Sequence, residues 1–484
     1  MSLFIEKSIL ASRFLSCLIA ISISVLIVSS LSLVQFADNS FIPRSVYRLI
    51  LVNTNSSLYS TSCVESKTPF LPLETSFEKN SKSHNTTSYQ ASSSISKSSG
   101  CDTKQALLRV YMYDLPPEFH FGLLGWKGNG KEMWPNVDMQ GQVPSYPGGL
   151  NLQHSIEYWL TLDLLSSNIT RPCTAIRVQN LSEADVIFVP FFSSLSYNRH
   201  SRPPGKGKGK GNVSLNRILQ DRMVEFLRNR HEWKINGGVD HVIVAHHPNS
   251  MLVARKKLSS AMFVLADFGR YRTKIANIEK DVIAPYKHIV KTLDANNSPS
   301  FGQRHILVYF QGEIYRKNGG TIRQELYHLL KDEKDVHFTF GSIKSNGVRE
   351  AGRGMISSKF CLHIAGDTPS SNRLFDAISS HCIPVIISDD IELPFEDILD
   401  YSKFYIFIPS SYAVRKGYLL NFLRGIKEDQ WIKMWKRLKE FTKHFEYQYT
   451  SQLNDSVDMI WQAIARKLSY IQLKAHRHNR YRTS

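Results

Sequence analysis

Between Ala365 and Phe395 the chain reads AGDTPSSNRLFDAISSHCIPVIISDDIELPF, a turn–helix–strand pattern with polar residues crowded at the helix start. Thr368 is a candidate N-cap and Pro369 suits the first helical position. Free N–H groups at such a start attract an anion. Arg373 falls one turn in, and Asp376 follows three residues on, on the same side. A guanidinium suits a diphosphate. A carboxylate that accepts from two adjacent hydroxyls suits a ribose. Ser371 lies at the same helix start and joins this binding set.

A second cationic cluster lies in QGEIYRKNGGTIRQEL, Gln311 to Leu326. Arg316 and Lys317 precede Gly319-Gly320, and Thr321 with Gln324 reads as a capping box opening a helix that carries Arg323. A Gly-rich approach lets backbone N–H groups come close to phosphates. Arg316, Lys317, Arg323, Ser371, Arg373 and Asp376 therefore form one candidate nucleotide-diphosphate site. No Asp-x-Asp occurs, and the adjacent pair Asp389-Asp390 would direct its carboxylates apart on an extended chain, so no metal ligands are assigned and no metal is expected. Candidate bases lie elsewhere. His246 and His247 end one apolar run, HVIVAHH, and Asp267 ends the next, AMFVLAD. Histidine suits general-base work near neutral pH. The plainer alternative is that one histidine packs and the other faces solvent.

Short apolar runs alternating with helical patterns must position these groups. Leu108–Tyr113, Asp185–Pro190, His241–His247 and Ala261–Asp267 read as strands of a first domain, 101–297. Leu152–Leu165 and Leu215–Trp233 read as helices between them. After the linker Asn296–Gln303, strands are expected at His305–Phe310, Val336–Gly341, Lys359–Ala365, Ile383–Ile387 and Lys403–Pro409, giving a second domain over 298–426. The expected fold is α/β, with two Rossmann-like doubly wound domains facing a cleft and ligands beyond the carboxyl ends of the strands. From 427 to 484, C-terminal helices and a basic tail follow; Trp431, Trp435 and Leu438 share a face suited to bracing.

At 484 residues, with 42% hydrophobic and 21% charged residues, the chain suits two globular domains plus tails. Its formal charge of +18 favours anionic partners: a nucleotide diphosphate, an acidic polysaccharide or a membrane surface. Nucleic acid is not expected, because no zinc-finger spacing, RNA-binding aromatic signature or basic heptad helix occurs. Lys7 and Arg13 precede an uncharged stretch, 14–36, long enough to span a bilayer. It predicts a signal-anchor with a cytosolic tail, 1–13, and a lumenal body, with a cleaved signal as the alternative. Ser-rich residues 37–100 read as a flexible stem. Asn-x-Ser/Thr triplets from Asn55 to Asn454 agree with a lumenal glycoprotein. Beyond the apolar segment lie Cys63, Cys101, Cys173, Cys361 and Cys382, an odd number. Cys361 with Cys382 could staple one motif, and Cys101 with Cys173 could tie down the first domain.

Residues Ala365–Phe395 resemble the C-terminal signature of the exostosin-like glycosyltransferases, family 47. VYMYDLP (Val110–Pro116), LSEADVIFVPFF (Leu181–Phe192), VLADFGRY (Val264–Tyr271) and Tyr309–Leu326 are similar to further landmarks in family order. FFSSLSYNRH (Phe191–His200) and VAHHPNSM (Val244–Met251) resemble the plant arabinosyltransferase-like branch associated with pectic arabinan. The resemblance implies a GT-B arrangement and a Golgi type II membrane enzyme. It also implies an inverting transfer from a UDP-sugar to a polysaccharide acceptor, with the UDP-sugar as substrate and no separate cofactor. Alternatives are the same fold moving galactose, xylose or glucuronate to xyloglucan or xylan, or a non-catalytic partner of other glycosyltransferases.

Overall fold

The computed structural model describes residues 106–480, apart from 129, 131, 140, 169–171, 204–212, 270, 316–320 and 342–345. The expected anchor and stem, Cys63, Cys101, Arg316 and Lys317 lie outside the described residues. Among those described, no helix is long and apolar enough to cross a membrane.

Eleven described strands form two sheets. The first contains β1 (Leu108–Met112), β2 (Ala175–Val178), β3 (Val186–Val189), β4 (His241–Val244), β5 (Met262–Leu265) and β6 (Val282–Ile283), in the order β2-β1-β3-β4-β5-β6. The second contains β7 (Ile306–Gly312), β8 (Val336–Phe340), β9 (Ser358–Ile364), β10 (Ile383–Ile387) and β11 (Ile406–Phe407), in the order β11-β10-β9-β7-β8. Every strand pair is parallel. Parallel strands lie under helices on both faces, which is why VIFV, HVIV, MFVL and IPVII are buried at every position. In each sheet the second strand in sequence lies on one side of the first and the third lies on the other. Right-handed crossovers then place successive connections on opposite faces, leaving a crevice where the order reverses. That switch falls between β1 and β3 in one sheet and between β7 and β9 in the other.

Two helical expectations change in detail. Helix Leu215–Asn229 is amphipathic as read: Leu219, Met223 and Leu227 are buried at four-residue spacing, and Ser214 Oγ accepts from Arg217 N at 3.3 Å. The expected helix over Leu152–Leu165 is instead two pieces, a 3₁₀ turn over Gly149–His154 and an α-helix over Ile156–Leu165. Ser155 bonds back to Leu152 O through both its N–H (3.1 Å) and its hydroxyl (2.7 Å), which breaks the α pattern. The strand expected over Lys403–Pro409 contracts to β11, preceded by a 3₁₀ turn at Tyr401–Lys403.

The C-terminal segment ties both halves together. In helix Glu428–Phe441, Trp431 Nε1 donates to Lys359 O (3.1 Å) and Trp435 Nε1 to Ser298 Oγ (3.1 Å). Helix Ser456–Asn479 returns to the first sheet, where buried Trp461 donates to Asp163 Oδ2 at 3.0 Å and packs on Phe188. The Cys361–Cys382 disulfide joins β9 to the residue before β10, as the sequence suggests. Cys173 is disulfide-bonded as well.

Candidate active site

A cleft of about 280 Å³ opens between the carboxyl ends of the two sheets. Its first-sheet wall includes His154, His247 and Tyr286, and its second-sheet wall includes Arg323, Ser370 and Asn372. Another hollow of about 320 Å³, at Leu107, Asp185 and Arg466, lies at the amino ends of β1 and β3, the opposite end from where such sheets bind ligands.

On the second-sheet side, two arginines straddle the β7/β9 switch point. Arg323, 1% exposed, donates through Nε and Nη2 to Ile364 O (3.2 and 2.7 Å), through Nε to Ala365 O (3.1 Å), and through Nη1 to Glu313 O (2.9 Å). Arg373 donates to Gln311 O (2.9 Å) and to Ser371 Oγ (3.4 Å), with its guanidinium 4.7 Å from the Phe310 ring centroid. Glycines admit both groups: a Cβ at Gly312 would overlap the Arg373 guanidinium, and one at Gly366 would stand 2.7 Å from Arg323 Nη2. Between them lies buried His363, whose Nε2 donates to Pro369 O at 3.0 Å. Burial first, and then the nearby charges of Arg373 and Arg323, push His363 down to about 3. Burial is the larger cause, and the two guanidinium charges add to it.

The helix start differs from its sequence reading. The helix spans Asn372–Ser379 with Ser371 as N-cap, and Thr368 and Pro369 precede it in a turn. Thr368 Oγ1 donates to Ser370 O (3.0 Å), while Pro369 O accepts from His363 and from Ser388 Oγ (3.0 Å). These side-chain bonds hold the turn in a non-helical form, so the cap moves three residues on. Ser371 keeps its place at the helix start but makes no capping bond; its hydroxyl meets His363 Nδ1 at 3.3 Å. Asn372, missed in the sequence reading, lines the cleft with its buried Oδ1 unbonded. Helix Thr321–Leu330 follows a stretch outside the described residues.

Asp376 requires a correction. It does not line the cleft but points to the connector between the sheets. Its Oδ1 accepts from Ile289 N (2.8 Å) and Val290 N (3.2 Å), and its Oδ2 accepts from Asn372 Nδ2 (2.7 Å). Both oxygens are engaged, so the geometry gives a clasp between connector and helix rather than a ribose contact. Burial raises its pKa to about 6 against the pull of those N–H groups.

On the first-sheet side the candidate bases separate. His246 is fully buried; its Nε2 meets Ala284 O at 3.1 Å and its Nδ1 meets His154 Nδ1 at 2.9 Å. With both ring nitrogens occupied, it has no atom left for substrate. Asp267 is 4% exposed and accepts from Gly269 N (3.0 Å). Burial raises its pKa, with Gly269, Thr368 and Ser370 opposing. It lies near the Thr368–Ser370 turn of the other half, and its buried Oδ2 is left without a hydrogen-bond partner. His247 does reach the cleft, where its ring lies 4.5 Å from that of Tyr197. Its Nδ1 accepts from Asn249 N at 3.1 Å, which leaves the ring proton on Nε2. His154 lines the cleft and was not singled out from sequence, because LQHS reads as the first turn of the helix expected over Leu152–Leu165. The Ser155 break turns it out of that pattern. Asp114, Trp134 and Arg177 form a separate cluster, with Trp134 Nε1 and Arg177 Nη2 each 2.9 Å from Asp114 Oδ1. Among the described residues, no group of His, Cys, Asp and Glu is arranged to hold a metal ion.

The chain is similar to known proteins along most of its length. A probable arabinosyltransferase, ARAD1, of Arabidopsis thaliana is 38% identical over 78% of this chain and 82% of its own. A probable glucuronoxylan glucuronosyltransferase of the same plant is 25% identical over 66% of each chain. Among solved structures, Anabaena Alr3699/HepE in complex with UDP and glucose is 11% identical over 75% of this chain and 99% of that one, with a TM-score of 0.34. Residues 104–423 match the Exostosin GT47 domain, so the chain belongs to the exostosin GT47 family and is a glycosyltransferase.

Proposed function

We propose that this glycosyltransferase, in a GT-B arrangement, transfers arabinose from a UDP-sugar to a cell-wall polysaccharide such as pectic arabinan, with inversion at the anomeric carbon. The observation that carries the donor half is the convergence of Arg323, Arg373 and the Asn372 helix start at the β7/β9 switch point. Fixed guanidinium charge and helix N–H groups stabilise a departing diphosphate without reorganising during the reaction. They supply, in this reading, the charge that a bound metal supplies elsewhere. Arabinose as the sugar rests on similarity to the probable arabinosyltransferase at 38% identity.

A donor screen tests both parts. The full chain is given UDP-arabinose, UDP-galactose, UDP-xylose or UDP-glucuronate with arabinan or xylan oligosaccharides, and UDP release is measured with and without EDTA. The expected result is acceptor-dependent release from UDP-arabinose with arabinan, largely retained in EDTA. Release from UDP-glucuronate with xylan alone would move the chain to the activity named for its more distant relative. Complete loss in EDTA, restored by manganese, would refute the arginine account. No release from any donor would favour a non-catalytic partner.

A further inference from the structure

We propose that His154 is the general base that takes the proton of the acceptor hydroxyl, held in the required tautomer by His246. This rests on the glycosyl-transfer reading above. The assignment follows from a chain of three contacts. The Ala284 carbonyl can only accept, so at 3.1 Å the Nε2 of His246 must carry its proton. His246 is fully buried, and burial pushes it down to about 3, so near neutral pH it holds one proton only. Its Nδ1 is therefore a bare lone pair. The 2.9 Å contact between the two Nδ1 atoms then requires the proton to sit on His154. His154 in turn is neutral, because burial first and the neighbouring His246 and His247 next hold its pKa well below the ordinary value. What remains on His154 is an Nε2 lone pair, on a side chain that lines the cleft opposite the Asn372 helix start. His247, another of the candidate bases, has the reverse arrangement: its Nδ1 lone pair is committed to Asn249 N–H, and its Nε2 can only donate.

The reaction balances with these groups. The acceptor oxygen bonds to the anomeric carbon as the bond from that carbon to the β-phosphate oxygen breaks. The electron pair leaves with UDP, and the acceptor proton passes to His154 Nε2 and then to solvent through the open cleft. His246 does not touch substrate. It is a positioning residue that keeps the proton on the far side of the His154 ring, the role an orienting group has beside any catalytic imidazole.

The test uses the full chain, with UDP affinity by calorimetry beside turnover of UDP-arabinose on an arabinan oligosaccharide. His154→Ala should lower turnover by about 10²–10⁴-fold while UDP affinity stays within about threefold, and added imidazole should restore part of the rate. His154→Gln keeps the volume filled; it should bind UDP, stay equally slow and gain nothing from imidazole. It decides the matter if the alanine variant does not fold. Turnover within threefold of wild type in a folded His154 variant would overturn the assignment and leave the glycosyl-transfer reading intact. If the wild type releases no UDP from any donor, that reading falls and the base assignment falls with it.

Discussion

At the carboxyl end of β4 and the loop that faces it stand two imidazoles that burial keeps neutral, His246 sunk in the core and His154 bonded to it. At the carboxyl ends of β7 and β9 stand guanidinium groups held by backbone carbonyls. Both sheets reverse their order beside the first strand, so both offer the same kind of crevice. What separates them is how each burial is compensated. A histidine can shed its charge at modest cost, and burial turns it into a neutral donor and acceptor with a defined tautomer. An arginine keeps its charge, so burial requires acceptors around it, and strand-end carbonyls supply them. The same topology thus yields a lone-pair wall on one side and a cationic wall on the other. In the proposed reaction both are used, one for the attacking oxygen and one for the leaving group.

The largest effect expected on this contrast comes from Arg323. Arg323→Leu leaves the carbonyls of Glu313, Ile364 and Ala365 without their donor and removes charge from the cleft wall. Stability should fall by about 3 kcal/mol, measured by denaturant unfolding, and UDP binding should be lost. A variant that unfolds at the wild-type denaturant midpoint would mean the carbonyl cradle is not what holds the β7/β9 crevice. Arg373 is half-buried. Arg373→Ala should weaken UDP binding by about 1.5 kcal/mol, roughly tenfold, while the fold persists. Calorimetric affinity equal to wild type would place the diphosphate elsewhere.

The smallest effect on binding should come from Asp376. Asp376→Asn should change UDP affinity by less than about threefold, since the side chain clasps Ile289, Val290 and Asn372. A larger loss would restore the ribose role. Its pH signature is distinct. The folded-state pKa is raised to about 6, above the ordinary carboxyl value near 4, so the folded chain holds this proton more tightly than the unfolded one. The resulting stability is present below about pH 4 and is lost as pH rises through about 6. Wild type should therefore show a steeper decline in Tm between pH 4 and 7 than Asp376→Asn. Parallel curves would mean the carboxyl is not burdened by burial.

Much of this molecule was legible in the sequence. Apolar runs of four to seven residues announced nine of the eleven strands, because a strand buried on both faces needs apolar side chains at every position. β2 and β6 escaped, since AIRV is half-exposed and VI is two residues long. Cys361 and Cys382, at the ends of one motif, are joined as their placement suggested. Tertiary structure alone decided which polar groups reach the cleft and which are held in the core. Asp376 and His246 occupy motif positions, yet the core claims every acceptor and donor they have. His154 carries no motif, yet a single 3₁₀ break delivers it to the cleft. Sequence spacing reports which side of its own element a residue occupies. Whether that side meets a cleft or another element's backbone depends on packing between segments far apart in the chain, and the buried hydrogen-bond partners found there decide the protonation, tautomer and reach of each side chain.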